Sequence, residues 1–203
     1  MGDILTSRDG GVATVTLANP GKLNAVDAAM WRRLEAAIAG LDGDETLRVI
    51  VVRGDGAAFA AGGDLEEFSA ARDTPDKALA YHHAVGRALE ALANCRHPTV
   101  ALIHGPCVGG GLAIACACDL RIAGESARFG APICKLGFSM YPGEIALLLS
   151  LAGPAVVKEI LLEGRLLTAH RALEKGLVTR VVGDSEVDDE AYATARRIAA
   201  GAP

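Results

Sequence analysis

The ten residues His104–Ala113, HGPCVGGGLA, decide how this chain reads. They follow an apolar run, Thr99-Val100-Ala101-Leu102-Ile103, with the character of a buried strand. They lead into a second apolar run, Leu112–Ala117, with the character of a helix. Three glycines at a strand-to-helix junction let the backbone approach a ligand with no Cβ in the way. They also leave N–H groups free at a helix N-terminus, where partial positive charge gathers. Such a place suits an anion, or an oxygen that becomes one during a reaction. A tight turn that merely needs small residues is the other reading of the same letters.

A second stretch of the same kind lies upstream. Arg48–Arg53, RVIVVR, is another apolar strand, and after a short loop comes Phe59-Ala60-Ala61-Gly62-Gly63-Asp64-Leu65, with Asp64 placed to cap a helix. Two strand ends, each with a glycine-lined turn and exposed amides, can converge on one oxygen as a two-donor oxyanion hole.

Bulk composition fits this reading. A chain of 203 residues, half of them hydrophobic and rich in Gly and Ala, is most simply one close-packed α/β domain. Aromatics are only 4% of the chain, too few for a platform that stacks single-stranded nucleic acid. A net charge of −5 without a basic block argues against any nucleic-acid partner. No stretch reads as a signal peptide or a membrane span. The five cysteines, an odd number, fit a reducing cytoplasmic setting. Cys116-x-Cys118 lacks metal-site spacing, so they read as small buried residues and no metal is expected.

Taken in order, Ile4–Arg8 and Val12–Ala18 read as a hairpin. Asp27 caps a helix to Gly40 with Met30, Leu34 and Ile38 on its inner face, and Val49–Val52 is a strand covered on both sides. Thr74-Pro75 opens a helix to about Asn94, with Leu79, His82 or His83, Gly86 and Leu89–Leu92 facing inward. Later elements are strands at Leu120–Ala123 and Ala127–Phe129 and helices at Pro142–Ala152 and Pro154–Glu163 broken at Gly153-Pro154. A Thr168-capped helix to Gly176, a strand at Leu177–Val182 and a last helix over about 186–201 follow. Recurring strand–turn–helix units predict coiled ββα layers rather than an ordinary doubly wound sheet.

With both turns in view, the chain resembles the enoyl-CoA hydratase/isomerase (crotonase) family. The resemblance runs from about Leu17 to Gly201. It rests on NPGKLNAV (Asn19–Val26), FAAGGDLEEF (Phe59–Phe68), the run His97–Ala123, ARFGAP (Ala127–Pro132) and EGRLLTAHRALEKGLVTRVV (Glu163–Val182), in that order and spacing. It implies a single α/β domain over 1–203, a crotonase-like superhelix of ββα units with its core spiral over about 1–183. It also implies assembly as a homotrimer or dimer of trimers, and an acyl-CoA thioester substrate, with coenzyme A part of that substrate and no separate cofactor. By motif match, the oxyanion-hole amides fall on Gly63 and Gly110. The turns around Leu23-Asn24-Ala25 and Ala61–Leu65, including Asp64, would present backbone groups to the CoA. Relatives continue through further helices that cover the acyl-CoA site. This chain stops at Pro203, so the C-terminal helical region is expected to be truncated, with part of the site open or supplied by a neighbouring subunit.

The departures from the family pattern bear on the chemistry. Hydratases of the family carry one glutamate where this chain has Ala113 and a second where it has Ile133. Neither replacement can move a proton, and general acid–base groups are typically worth about 10² to 10⁴ each in rate. Hydration of simple 2-enoyl-CoA is therefore expected to be weak. Glu144, opening the helix after Leu136-Gly137, is the acid/base candidate, with helix capping as its alternative role. Tyr141 stands where dehalogenase relatives place a carboxylate nucleophile, and a tyrosine cannot do that job. His82 and His83 read as ordinary helix residues, Asp64 as structural, and Glu66 and Glu67 as a solvated face. Cys134 can face the pocket, with nothing marking it as a thiolate. Three functions stay open: an acyl-CoA lyase or isomerase, a decarboxylase or thioester hydrolase of the same family, and a non-catalytic acyl-CoA-binding or assembly subunit. A serine protease of related fold is excluded, because neither glycine turn offers a serine.

Overall fold

The structure is a computed structural model and describes residues 2–201 apart from Phe138, with the backbone alone at Ser69. Ala202 and Pro203, at the expected end of the last helix, lie outside the described residues. In chain order the elements are β1 (Asp3–Asp9), β2 (Val12–Ala18), α1 (Ala28–Asp42), β3 (Val49–Gly54), α2 (Leu65–Ala71), α3 (Pro75–Ala93), β4 (Thr99–Ile103) and β5 (Pro106–Val108). There follow α4 (Gly110–Ala117), β6 (Leu120–Gly124), β7 (Arg128–Gly130), a 3-10 turn at Ile133–Lys135, α5 (Pro142–Glu163), β8 (Leu167–Thr168), α6 (Ala169–Glu174), β9 (Arg180–Val182) and α7 (Val187–Ala199).

One sheet runs β1-β2-β3-β4-β6-β9, parallel except for the β1–β2 hairpin; a smaller one runs β5-β7-β8. The side-chain period of two divides β3 between two cores. Ile50 and Val52 join Trp31, Leu34, Leu92 and Ile103 on the face covered by α1, α3 and α4. Val49 and Val51 meet Val187, Ala191 and Ala195 of α7 on the other. Burial on both faces is why the strand is apolar at every position from Val49 to Val52.

Helix starts follow local chemistry. Asp27 accepts from Met30 N–H at 2.7 Å and Thr74 from Lys77 N–H at 3.3 Å. The expected break in α5 is present, with Gly153 at φ 74°. Three expectations need correction. Leu79 is 55% exposed, because α3 turns Tyr81, Ala84, Val85, Ala88, Leu89 and Leu92 inward instead. Only Arg180–Val182 of the stretch 177–182 forms the strand: Leu177 N–H is turned back to Ala172 O, and Thr179 N–H to Arg121 O of β6 makes the first contact with the sheet. Glu67 is not simply solvated: its carboxylate accepts from Ala28 N–H at 2.8 Å, at the start of α1. By length and composition alone α5 would pass for a membrane span, with mean hydropathy 2.0. Here it is an element of the fold, packed on α4, α3 and the 3-10 turn.

The loop between β2 and α1 is the footing of the site. Asn24 is buried in the left-handed region at φ 57°. Its amide donates to Asp55 O and Ala58 O, each at 2.8 Å, and its Oδ1 accepts from Asn19 N–H at 3.1 Å. Alanine would lose these bonds and strain the backbone. Asn24→Ala is expected to cost about 2 kcal/mol, read as a fall in Tm of about 4–8 °C by calorimetry.

Candidate active site

Two backbone ladders bring the glycine turns together. Phe59 N–H bonds His104 O at 2.8 Å, Ala60 N–H bonds Pro106 O at 3.0 Å, and Val108 N–H bonds Ala60 O at 2.9 Å. The segment after β3 thus runs beside β5, and each turn begins where that short pairing ends. On its far side the first turn is pinned to the β2–α1 loop. Ala61 N–H bonds Leu23 O at 2.9 Å, Val26 N–H bonds Gly62 O at 2.7 Å, and Asp64 N–H bonds Val26 O at 3.1 Å. In extended chain, successive peptide groups point to opposite edges. With Gly62 C=O and Asp64 N–H both spent on Val26, Gly63 N–H points away from it. In the second turn, Gly109 sits at φ 52° and donates to Gly130 O at 2.8 Å, which leaves Gly110 N–H as the first amide of α4. Among the described residues neither Gly63 N–H nor Gly110 N–H has a backbone acceptor.

The turns are in contact. A Cβ built on Gly109 would lie 3.6 Å from Gly62 Cα, and one on Gly110 would lie 3.8 Å from the Gly62 carbonyl carbon and 2.9 Å from the Trp31 ring. Both turns line one cavity of about 280 Å3, walled mainly by apolar groups such as Trp31, Leu65, Val85, Val108, Ile133 and Met140.

Of the polar side chains that reach this cavity, four come from α3, α5 and the residue that caps α5. Glu144, in the first turn of α5, accepts from Tyr141 N–H at 3.0 Å, half of a capping box. Burial raises its pKa above the usual carboxylate value, against the opposing pull of that hydrogen bond and of the Arg72 charge. The His82 and Tyr141 rings stack at 5.6 Å, and burial holds the His82 pKa down, helped by the Arg72 and His83 charges. Tyr81 accepts from Trp31 Nε1–H at 3.2 Å, and burial raises its phenol pKa. His82 therefore belongs to the cavity, unlike exposed His83, and is not the ordinary helix residue its neighbours suggested. No local pattern separates the two histidines; the choice is made by Tyr141, 59 positions on.

The other expected site residues divide. Ala61 and Leu65 line the cavity. Leu23 is 57% exposed beside it, with its carbonyl engaged by Ala61. Ala25 is buried, and Asp64 caps α2 and pairs with Lys22 at 2.7 Å. Ala113 is fully buried within α4, whereas Ile133 faces the cavity. Cys134 is exposed, lies against Gly164 and is not among the cavity walls. Cys107, Cys116 and Cys118 are buried, which pushes the thiols of Cys116 and Cys118 up to about 12, so they stay protonated.

A parallel-rich sheet whose two glycine turns close on one apolar cavity defines the crotonase-like class of α/β folds. A solved enoyl-CoA hydratase/carnithine racemase from Magnetospirillum magneticum superposes with a TM-score of 0.97 at 46% identity, covering 100% of this chain and 76% of that one. The chain belongs to the enoyl-CoA hydratase/isomerase family, whose sequence model matches residues 7–203. It is 37% identical over 196 residues to a probable enoyl-CoA hydratase of Rhizobium meliloti, covering 97% of this chain and 75% of the relative. It is 36% identical over 196 residues to 4-chlorobenzoyl coenzyme A dehalogenase-2 of an Arthrobacter species, covering 94% and 70%.

Proposed function

We propose that the protein is an enzyme acting on an acyl-CoA thioester, whose carbonyl oxygen is held by Gly63 N–H and Gly110 N–H while negative charge develops on it. The observation that carries this is the pair of amides without backbone acceptors, on two touching turns that line one apolar cavity. Donors fixed in place before reaction act strongly where water is excluded, and the loss of one typically costs about 3 kcal/mol. Glu144 is the group we assign to proton transfer at the carbon beside the thioester. Burial raises its pKa above the ordinary carboxylate value, which makes it a better proton acceptor than an exposed carboxyl. Leu23, Ala25, Ala61, Asp64 and Leu65 form the rim we assign to the CoA moiety. Assembly through the outer face of α5, where Leu149 and Leu162 are exposed, is part of the same proposal.

The test is exchange of the α-protons of butyryl-CoA into D2O, followed by NMR, beside turnover of a CoA-thioester panel. Exchange is expected, and crotonyl-CoA hydration is expected to be slow, because Ala113 and Ile133 supply no carboxylate. Those two substitutions also favour a second reading, a binding subunit without turnover. Tight binding with neither exchange nor turnover would select it, and absence of binding would remove both.

A further inference from the structure

Tyr141 borders two separate spaces. One is the apolar cavity of about 280 Å3 beside the glycine turns. The other, of about 100 Å3, lies between α3 and α5 against Leu89, Ala93 and Leu147, with exposed Glu90 and Asn94 also on its border. Among the described residues, Tyr141 is the one that lines both. A row of rings leads to it from the proposed oxyanion site. The Tyr81 hydroxyl lies 3.4 Å from where a Cβ on Gly63 would sit. The Tyr81 and His82 rings meet edge to face at 6.4 Å, and His82 stacks on Tyr141 at 5.6 Å. The second space lies past the last ring in this row. Two glycines make room for that ring. A Cβ on Gly86 of α3 would lie 3.1 Å from the Tyr141 hydroxyl oxygen and 3.3 Å from its Cε1, and one on Gly143 of α5 would lie 2.7 Å from the same Cε1. One edge of the ring thus packs on the bare backbone of both helices, and His82 covers a face. Packing this close leaves a side chain little freedom to swing aside.

We infer that Tyr141 sets the length of acyl chain the site accepts: its ring is the end wall of the catalytic cavity, and the substrate is a short-chain acyl-CoA. The same cavity must also hold the thioester group, so only a few carbons fit between the glycine turns and the ring. A longer tail would have to break the stacking on His82 and the contacts with both helices before it reached the space between α3 and α5. Without such a wall, each further methylene buried on binding is worth about fourfold in affinity. This inference rests on the thioester reading of the site and adds the residue that selects acyl length.

Isothermal titration of butyryl-, hexanoyl- and octanoyl-CoA into the full chain tests it. In the unsubstituted protein the affinity is expected to stop rising by hexanoyl-CoA, with octanoyl-CoA no more than about threefold tighter. Tyr141→Ala joins the two spaces and is expected to bind octanoyl-CoA about tenfold or more tighter than hexanoyl-CoA. The Glu144 contact uses the Tyr141 backbone N–H and survives this change. Tyr141→Phe keeps the ring and is expected to keep the limit. A steady rise through octanoyl-CoA in the unsubstituted protein would overturn the inference whatever the variants do. So would a limit unmoved in Tyr141→Ala, or one lost in Tyr141→Phe, and each of these results leaves the thioester reading standing. Failure of all three thioesters to bind would bring down the two together.

Discussion

Gly111→Ala is expected to cut thioester turnover and α-proton exchange by about a hundredfold or more, and to lower Tm by about 10 °C. The added methyl would lie 2.4 Å from the Ala60 carbonyl oxygen, 2.8 Å from Ala60 Cβ and 3.0 Å from the Ala60 carbonyl carbon. None of these atoms is the free end of a flexible side chain. Both backbone groups of Ala60 are bound to β5, its N–H donating to Pro106 O and its carbonyl accepting from Val108 N–H. Relief must come from moving one glycine turn away from the other, and overpacking of this kind costs about 3 kcal/mol or more. A shift of that kind pulls Gly110 N–H out of line with Gly63 N–H, and an oxyanion donor misplaced is nearly a donor lost, a factor of about 10² to 10³. Gly40→Ala is the control. It lies within α1, nothing stands within 4 Å of its added Cβ, and it is expected to raise Tm slightly. Exchange rates are to be compared at a temperature where both variants are fully folded, so that lost geometry is separated from lost protein. An active Gly111→Ala enzyme would mean that the contact between the turns is not what aligns the amides.

The features legible in the sequence were those set by local backbone chemistry. Glycines at strand ends, Asp27 and Thr74 as caps, Gly153-Pro154 as a helix break and the apolar stretch Val49–Val52 each state their structure within a few residues. The whole course of the two glycine turns belongs to this group. What was not legible depends on partners far along the chain. Residues 106–108 carry a proline between glycine-flanked turns and have no strand pattern; they are β5 only because Ala60 and Arg128–Gly130 offer ladders to them. Leu79 fits a helical stripe, yet α3 rolls so that Gly86 admits the Tyr141 ring, whose hydroxyl lies 3.1 Å from the position of an added Cβ. The same packing selects His82 over His83. Arg72 between Phe68 and Tyr81 is likewise invisible as spacing, because one ring lies in its own helix and the other in the next. The two glycine turns and Glu144 could thus be placed in advance, whereas His82 and Arg72 reach the cavity only through packing.

Glu144→Gln is expected to reduce turnover and α-proton exchange by about 10² to 10⁴ while leaving the fold at least as stable at pH 7–8. The two halves of this prediction come from one cause. Burial raises the Glu144 pKa, so the folded state holds its proton to higher pH than the unfolded chain does. Over the window from the ordinary carboxylate value up to that raised value, the folded state binds more protons than the unfolded one. Stability from this group is present below the window and falls as pH rises through it. Above the window the ionised, partly desolvated carboxylate is a net cost to the fold. Glutamine removes the charge and can still accept from Tyr141 N–H, so the capping contact survives. A residue that served only as a cap would lose little activity on this exchange. A residue kept for chemistry loses activity and gives back stability, the usual signature of a site maintained against the preference of the fold. The pH profile separates the roles further. If Glu144 takes the α-proton, exchange in the unsubstituted protein rises with pH through the raised pKa and then levels, and Glu144→Gln flattens that limb. Activity retained in Glu144→Gln with an unchanged profile would return the carboxyl to a structural role and leave the proton transfer to another group, with His82, stacked on Tyr141 in the same cavity, the next to be substituted.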